Sequence, residues 1–93
     1  MVIGIIELSI SIPEARSLKD KRSVVRSMRD RITHSMNVSA AEVGRQDEWR
    51  FAELAFVTVA GTRETVDKRI SGLSNKLRSD PRYVIMDLRT QIL

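Results

Sequence analysis

The chain has 93 residues, enough for one small hydrophobic core but not for two, so residues 1–93 are predicted to form a single domain. A hydrophobic fraction of 42% and a charged fraction of 30% are typical of a globular protein rather than a disordered chain. The absence of cysteine excludes a disulfide framework, a thiolate metal site and a cysteine nucleophile. The apolar stretch at residues 1–8 contains Glu7 and lacks the basic start of a signal peptide. No segment approaches the roughly 18 apolar residues of a membrane span, so we expect a cytoplasmic protein without a membrane partner.

The basic excess of the chain is confined to one segment. The formal net charge is +4, and residues 14–34 account for all of it, with seven basic and three acidic side chains. The remaining residues carry nine side chains of each sign. A local positive excess favours an acidic partner, and phosphate is the commonest such partner.

The first part of the chain predicts a strand followed by a helix. Residues 2–12 alternate apolar and polar side chains, as in a half-buried strand, and Pro13 ends it because proline has no N–H to donate. Ser17 followed by Asp20 resembles a capping box, so the helix is predicted to begin there and to end near Asn37. At about 100° per residue, its apolar face consists of Leu18, Val24, Val25, Met28, Ile32 and Met36.

The second part predicts two strands, a helix and a final strand. Residues 38–43 form a short alanine-rich strand, residues 44–50 a polar loop, and residues 52–60 a longer strand. Thr62 is the predicted cap of the second helix. The apolar stripe of that helix consists of Val66, Ile70, Leu73 and Leu77. Residues 83–92 form the last strand. Its predicted common face holds Val84, Met86, Leu88 and Ile92.

The order β-α-β-β-α-β predicts a ferredoxin-like α+β fold. Two helices would cover one face of a four-stranded antiparallel sheet, and the right-handed crossover rule places the first and third strands at its centre. This fold hosts unrelated activities, so it carries little functional information by itself.

Four short motifs are distinctive: S-L-K-D-K-R at residues 17–22, N-V-S at 37–39, A-E-V-G at 41–44 and A-E-L at 52–54. Together with Trp49 they resemble the YlxP-like family of small bacterial proteins of unknown function, across essentially the whole chain. The resemblance implies a ferredoxin-like fold. It also implies a role near the ribosome, because genes of this family often lie beside those for translation initiation and ribosome maturation factors. The family supplies no established catalytic residues, so none is assigned.

The first functional candidate is the basic flank of the first helix. Its members follow the spacing i, i+3, i+7 and i+10 and are Lys19, Arg22, Arg26 and Arg29. Arg16 and Lys21 flank them. Four neutralised phosphates would give a log–log salt slope of roughly −3 to −4. The alternative is a solvated helix face that keeps the protein soluble.

Base stacking on the sheet, as in RNA-recognition motifs, is not expected. The first strand has no aromatic residue, and Phe56 is predicted to point inwards with Leu54. RNA would therefore be bound through helix arginines and shape, with little sequence reading.

Enzymatic chemistry is not expected either. Carboxylates around Trp49 are suited in principle to magnesium binding or acid–base work. They are Glu42, Asp47, Glu48 and Glu53. No histidine or activated nucleophile accompanies them, and residues 11–16 lack the glycine-rich phosphate cradle of acylphosphatases, which share this fold and size. No metal or cofactor is predicted. Trp49 itself is either a partner anchor or a cap on the core.

The sheet face opposite the helices is predicted to be apolar. By strand parity it holds Ile3, Ile5, Ala55, Val57, Val59, Tyr83 and Ile85. Such a patch usually marks an interface, with homodimerisation as the simplest use and capture of another protein as the rival. The assignment depends on register, because a slip of one residue exchanges the two faces.

Two functional interpretations follow. The first is a non-enzymatic domain that associates with ribosomal RNA or a maturing ribosomal subunit. Its predicted contact residues are Arg16, Lys19, Lys21, Arg22, Arg26 and Arg29. The alternative is a protein–protein module or homodimer that uses the open sheet face and docks on a translation or assembly factor. Its predicted contact residues are Ile3, Ile5, Trp49, Val57, Val59 and Ile85.

Overall fold

A four-stranded antiparallel sheet with two helices packed on one face makes up the computed structural model, which describes residues 1–93. The elements are β1 (Val2–Ser11), α1 (Leu18–Ser35), β2 (Ser39–Gly44), β3 (Phe51–Ala60), α2 (Arg63–Arg78) and β4 (Val84–Ile92). The strand order is β2-β3-β1-β4, so β1 and β3 are central, as the crossover rule predicts. The predicted ferredoxin-like topology is confirmed. Neither helix has the length and apolar character needed to cross a membrane.

Both helices begin at the predicted caps. The Ser17 hydroxyl accepts a hydrogen bond from the Asp20 N–H at 3.1 Å, and the Asp20 carboxylate accepts one from the Arg16 N–H at 2.9 Å. The Thr62 hydroxyl accepts from the Thr65 N–H at 3.2 Å. These bonds satisfy N–H groups that have no partner within the helix, so the local sequence is sufficient to place both helix starts.

The core lies between the sheet and the helices. Alternate residues of β1 and β3 point to it, and Phe56 and Leu54 face inwards as predicted. Gly4 of β1 lies beneath α2, where an added Cβ would stand 2.6 Å from Val66 Cγ1 and 2.8 Å from Ile70 Cδ1. Glycine at this position therefore permits the close approach of α2 to the sheet.

A β-bulge in β4 overturns part of the predicted face assignment. Ser9 pairs with Asp87, but the next residue, Ile10, pairs with Ile85, so Met86 is an extra residue in the ladder. The bulge reverses the strand parity. Ile85 packs against the core, and the prediction that it belongs to the open face is wrong.

Tyr83 and Val84 also differ from their predicted positions. Tyr83 precedes β4 and is buried, so its assignment to the open face is wrong. Its hydroxyl donates to the Leu77 carbonyl at 2.6 Å, and burial raises its pKa to about 12. Val84 and Met86 are exposed, whereas Leu88 packs against the core, so they do not share the single predicted face.

Candidate nucleic-acid interface

Lys21, one of the predicted phosphate contacts, lies on the core face of α1. It belongs to the buried stripe of that helix together with Val25, Met28 and Ile32, at the spacing i, i+4, i+7 and i+11. Its side chain is 1% exposed. The prediction that Lys21 contacts phosphate is therefore corrected, because its ammonium group is enclosed by protein.

The Lys21 ammonium group makes two hydrogen bonds and one ion pair within the protein. It donates to the carbonyls of Arg45 and Glu48 at 2.6 and 2.8 Å, and it lies 2.9 Å from Glu42 Oε2. That carboxylate oxygen is buried and makes no hydrogen bond, so the ion pair with Lys21 is its compensating contact. The two hydrogen bonds and the ion pair compensate for the burial of the Lys21 charge, and they hold the loop that follows β2 against α1.

Arg29 occupies an intermediate position at the side of α1. One of its guanidinium nitrogens donates to the Ala40 carbonyl of β2 at 2.9 Å. The side chain is partly buried and ties α1 to the edge of the sheet. Arg29 is therefore partly engaged within the protein, and its contact with phosphate stays a prediction.

Three of the predicted phosphate contacts, Lys19, Arg22 and Arg26, are exposed on the solvent side of α1, and we call them the basic row. None of them takes part in an ion pair of the protein. With Ser23, Ser27 and Asp30 they line a shallow groove that contains no hydrophobic side chain. The row extends over about 10 Å at a rise of 1.5 Å per residue. Arg16 is exposed just before the helix.

Two further cations, Arg31 on α1 and Arg82 before β4, are paired with Asp80. Its carboxylate lies 2.6 Å from Arg82 and 3.5 Å from Arg31, and it also accepts a hydrogen bond from the Arg82 N–H at 3.0 Å. The hydrogen bonds from Arg82 hold the pKa of Asp80 below its usual value. The hydrogen bonds to Asp80 also raise the pKa of Arg82. Arg82 thus stabilises the turn between α2 and β4, and Arg31 links α1 to that turn, whereas the cations of the basic row have no such partner.

Residues 45–50 form the connection between β2 and β3, which we call the Trp49 loop. Arg45 adopts a left-handed backbone with a φ of 55°, and its guanidinium stacks over the Phe51 ring at 4.9 Å. Arg50 donates to the Ala15 carbonyl at 3.2 Å. Trp49 is 50% exposed and is not among the residues packed against the core, so it is not a cap on the core. Its role as a partner anchor stays a prediction.

The carboxylates near Trp49 are largely engaged with cations. Glu42 pairs with Lys21, while Glu48 and Glu53 lie 3.6 and 3.3 Å from Arg45. No group of three or more metal-ligating side chains is brought together anywhere in the structure.

The open sheet face has two apolar ends and a charged centre. At one end Ile3 pairs with Val59 and Ile5 with Val57, as the parity of these strands predicts. Ala55 lies opposite Glu7 on the same face, as predicted. The sequence did not locate there Val84 and Met86, which form the other apolar end, or Leu93, which lies beside Ile3. The centre holds Glu7, Asp87 and Arg89. Strand alternation alone could not place Val84 and Met86 on this face, because the bulge in β4 changes which residues face outwards.

The fold and the site define a ferredoxin-like α+β domain with an unpaired basic row on its first helix. The chain belongs to a family described as a protein of unknown function, DUF503, which it matches over residues 3–90. It is 30% identical over 90 residues to the uncharacterized protein YlxP of Bacillus subtilis (strain 168), and the match covers 97% of this chain and 98% of that relative. The family predicted from the motifs is thus confirmed.

Two solved structures of designed proteins resemble the fold. The de novo designed protein Foldit4 has a TM-score of 0.58 at 12% identity, with 96% of each chain covered. The de novo designed protein LFR1 1 with ferredoxin fold has a TM-score of 0.57 at 17% identity, covering 99% of this chain and 85% of that one. At these identities the likeness concerns the fold alone.

Proposed function

We propose that this protein is a non-enzymatic RNA-binding domain that associates with ribosomal RNA or a maturing ribosomal subunit through α1. The observation that carries the proposal is the basic row. Lys19, Arg22 and Arg26 have no carboxylate partner, whereas Lys21 and Arg31 on the same helix are each paired. An exposed, unpaired row of cations is suited to the regularly spaced phosphates of a nucleic acid backbone.

The surroundings of the row support phosphate contact. Ser23 supplies a hydroxyl group within the same groove, and hydroxyls commonly bond to phosphate and sugar oxygens. The neighbouring Ser27 hydroxyl accepts a hydrogen bond from Arg82 at 3.0 Å. Arg16 extends the positive surface past the start of α1, where the helix dipole is also positive. Contacts of this kind read shape and backbone, so we expect little sequence preference along the row.

The choice of ribosomal RNA rests on the resemblance to the YlxP-like family and the gene neighbourhood it implies. Phosphate chemistry alone does not distinguish one RNA from another. The ribosomal partner is therefore the part of the proposal that depends on family context, and the RNA contact is the part that depends on α1.

The test is RNA binding across a salt series with two charge-matched variants. Arg22→Glu/Arg26→Glu changes the basic row, and Lys68→Glu/Lys76→Glu makes the same change of charge on α2. The native protein should show a log–log salt slope of roughly −2 to −3, as expected for three phosphate contacts. The row variant should lose at least about tenfold in affinity, and the α2 variant much less.

Circular dichroism would confirm that both variants are folded. Equal losses in the two variants would show that net charge alone drives binding, and the basic row would then have no special role. Absence of binding to ribosomal RNA fragments by the native protein would rule out the proposed function.

A second candidate function is self-association through the open sheet face. It is favoured by the exposed Val59 and Leu93 at one end of that face, 52% and 62% exposed, and by a centre that carries both signs of charge. A second copy can match such a surface, because a twofold arrangement brings Arg89 of one copy towards acidic groups of the other. Sedimentation of Val59→Asp should then show a monomer where the native protein is a dimer. A native monomer at high concentration would exclude this candidate.

A further inference from the structure

Trp49 is the one tryptophan of the chain, and its ring is held half in solvent. The cation–π contact near the loop goes to Phe51 rather than to Trp49. Large aromatic side chains stabilise a protein mainly when buried, so an exposed indole is unusual for a purely structural residue.

The backbone on both sides of Trp49 is fixed. On one side, the carbonyls of Arg45 and Glu48 accept hydrogen bonds from the buried Lys21 ammonium group. On the other side, Arg50 donates through its side chain to the Ala15 carbonyl, and its own carbonyl accepts from the Ile12 N–H at 2.7 Å. The ring is thus carried by a loop that is ordered before any ligand binds, which lowers the entropic cost of using it.

These anchors join the Trp49 loop to the segment that leads into α1 and to the core face of that helix. Lys21 precedes Arg22 in α1, and Ala15 precedes Arg16. The loop is therefore bonded to the residue before Arg16 and to the core face of α1, whereas the basic row lies on the solvent face of that helix. A strand with a phosphate on Arg16 passes next to this loop before it reaches the row.

The charges of the Trp49 loop favour contact with a nucleotide base over contact with the phosphate backbone. Glu48 is paired with Arg45 at 3.6 Å, whereas Asp47 forms no ion pair. A carboxylate repels phosphate but accepts hydrogen bonds from the N–H groups on base edges. The groove beside the ring is lined by Asp47, Glu48, Arg50 and Phe51 as well as Trp49.

From these observations we infer that the Trp49 loop is a stacking platform for one unpaired nucleotide of the bound RNA. The inference rests on the proposed function and names its substrate class, RNA with a single-stranded segment beside the contacts on α1. A nucleotide base can stack on a single exposed aromatic ring, and charged side chains around that ring do not prevent the stacking. A protein hot spot is instead a well-packed pocket that excludes water, and the mostly charged lining of this groove does not match it.

Fluorescence tests the inference directly, because all tryptophan emission comes from Trp49. The probes are a blunt RNA duplex and the same duplex with an overhang of about five adenosines, a length within the range of single-strand binding sites. The overhang RNA should quench Trp49 and bind more tightly, and the blunt duplex should bind without quenching. Trp49→Ala should remove the preference, with a loss of roughly 5- to 150-fold for the overhang RNA.

Trp49→Phe should keep most of the preference, and Met86→Ala, on the open sheet face, should leave both affinities unchanged. Arg22→Glu/Arg26→Glu should weaken both RNAs together. If both RNAs bind equally and Trp49 is not quenched, the stacking inference is overturned while the proposed function stands, and Trp49 becomes a candidate protein contact. If neither RNA binds the native protein, the proposed function and the inference fail together.

Discussion

Lys21 and Arg22 are neighbours in the chain and carry the same charge, but α1 places them in opposite environments. Lys21 is enclosed, with Glu42 and two carbonyls as its acceptors. Arg22 projects into solvent and belongs to no ion pair. Successive helical residues are rotated by about 100°, and this rotation alone carries one side chain to the core and the next to the surface.

The two regions of α1 therefore differ in what their charge stabilises. On the core face, a cation is tolerated only because the folded chain supplies hydrogen-bond acceptors and a counter-ion, so its charge stabilises the fold. On the solvent face, the cations lack acceptors within the protein, so their charge remains available to an external anion. Net charge does not distinguish these cases, and only the position of each acceptor does.

The largest expected effect comes from Lys21→Met. The substitution leaves the Glu42 carboxylate and two carbonyls without their partner in a buried site, and we expect a loss of about 3–5 kcal/mol in the free energy of unfolding. Urea denaturation followed by circular dichroism measures it. Arg22→Met should change stability by no more than about 0.5 kcal/mol.

A double variant sharpens this result. Lys21→Met/Glu42→Leu removes both charges, so it should recover part of the stability lost in the single variant. A single Lys21→Met variant as stable as the native protein would show that the buried ion pair contributes nothing.

The next effect concerns Asp80, which binds Arg82 and Arg31. Its folded pKa is lowered below 3.8, so its ionised form stabilises the fold above that pH, and the contribution is lost as the pH falls towards the folded pKa. Asp80→Asn should therefore cost about 1.5–3 kcal/mol at neutral pH, as expected for hydrogen bonds to a charged group. Urea unfolding across a pH series should show the difference shrinking below about pH 4. A constant difference would refute the assignment.

The smallest expected effects come from Arg29→Ala and Arg26→Ala. Arg29 donates to the Ala40 carbonyl, so its removal should cost about 1 kcal/mol, whereas removal of Arg26 should leave stability within about 0.5 kcal/mol. RNA binding should show the opposite order, because Arg26→Ala should reduce the salt slope by about 1. Equal effects in both assays would mean that the two arginines share one role.

Local sequence was sufficient for most of the fold. The caps at Ser17 and Thr62, the apolar periodicity of both helices and the alternation of β1 and β3 depend on neighbouring residues, so they were predicted correctly. The basic flank was visible for the same reason. The spacing also indicated the burial of Lys21, since it precedes Val25 by four residues. The two carbonyls and the carboxylate that permit this burial lie more than 20 residues away in the chain.

Local patterns along the chain specify the element order, the topology and the exposure of the basic row, because helical and strand periodicities are local properties. Which cations are paired and which side of β4 faces the core depends on contacts across the folded chain. The bulge at Met86 arises from the pairing of β4 with β1, and it exchanges Ile85 and Met86 between the two faces. Contacts between residues distant in sequence settle such choices, because the groups that compensate a buried charge or fix a register come from another part of the chain.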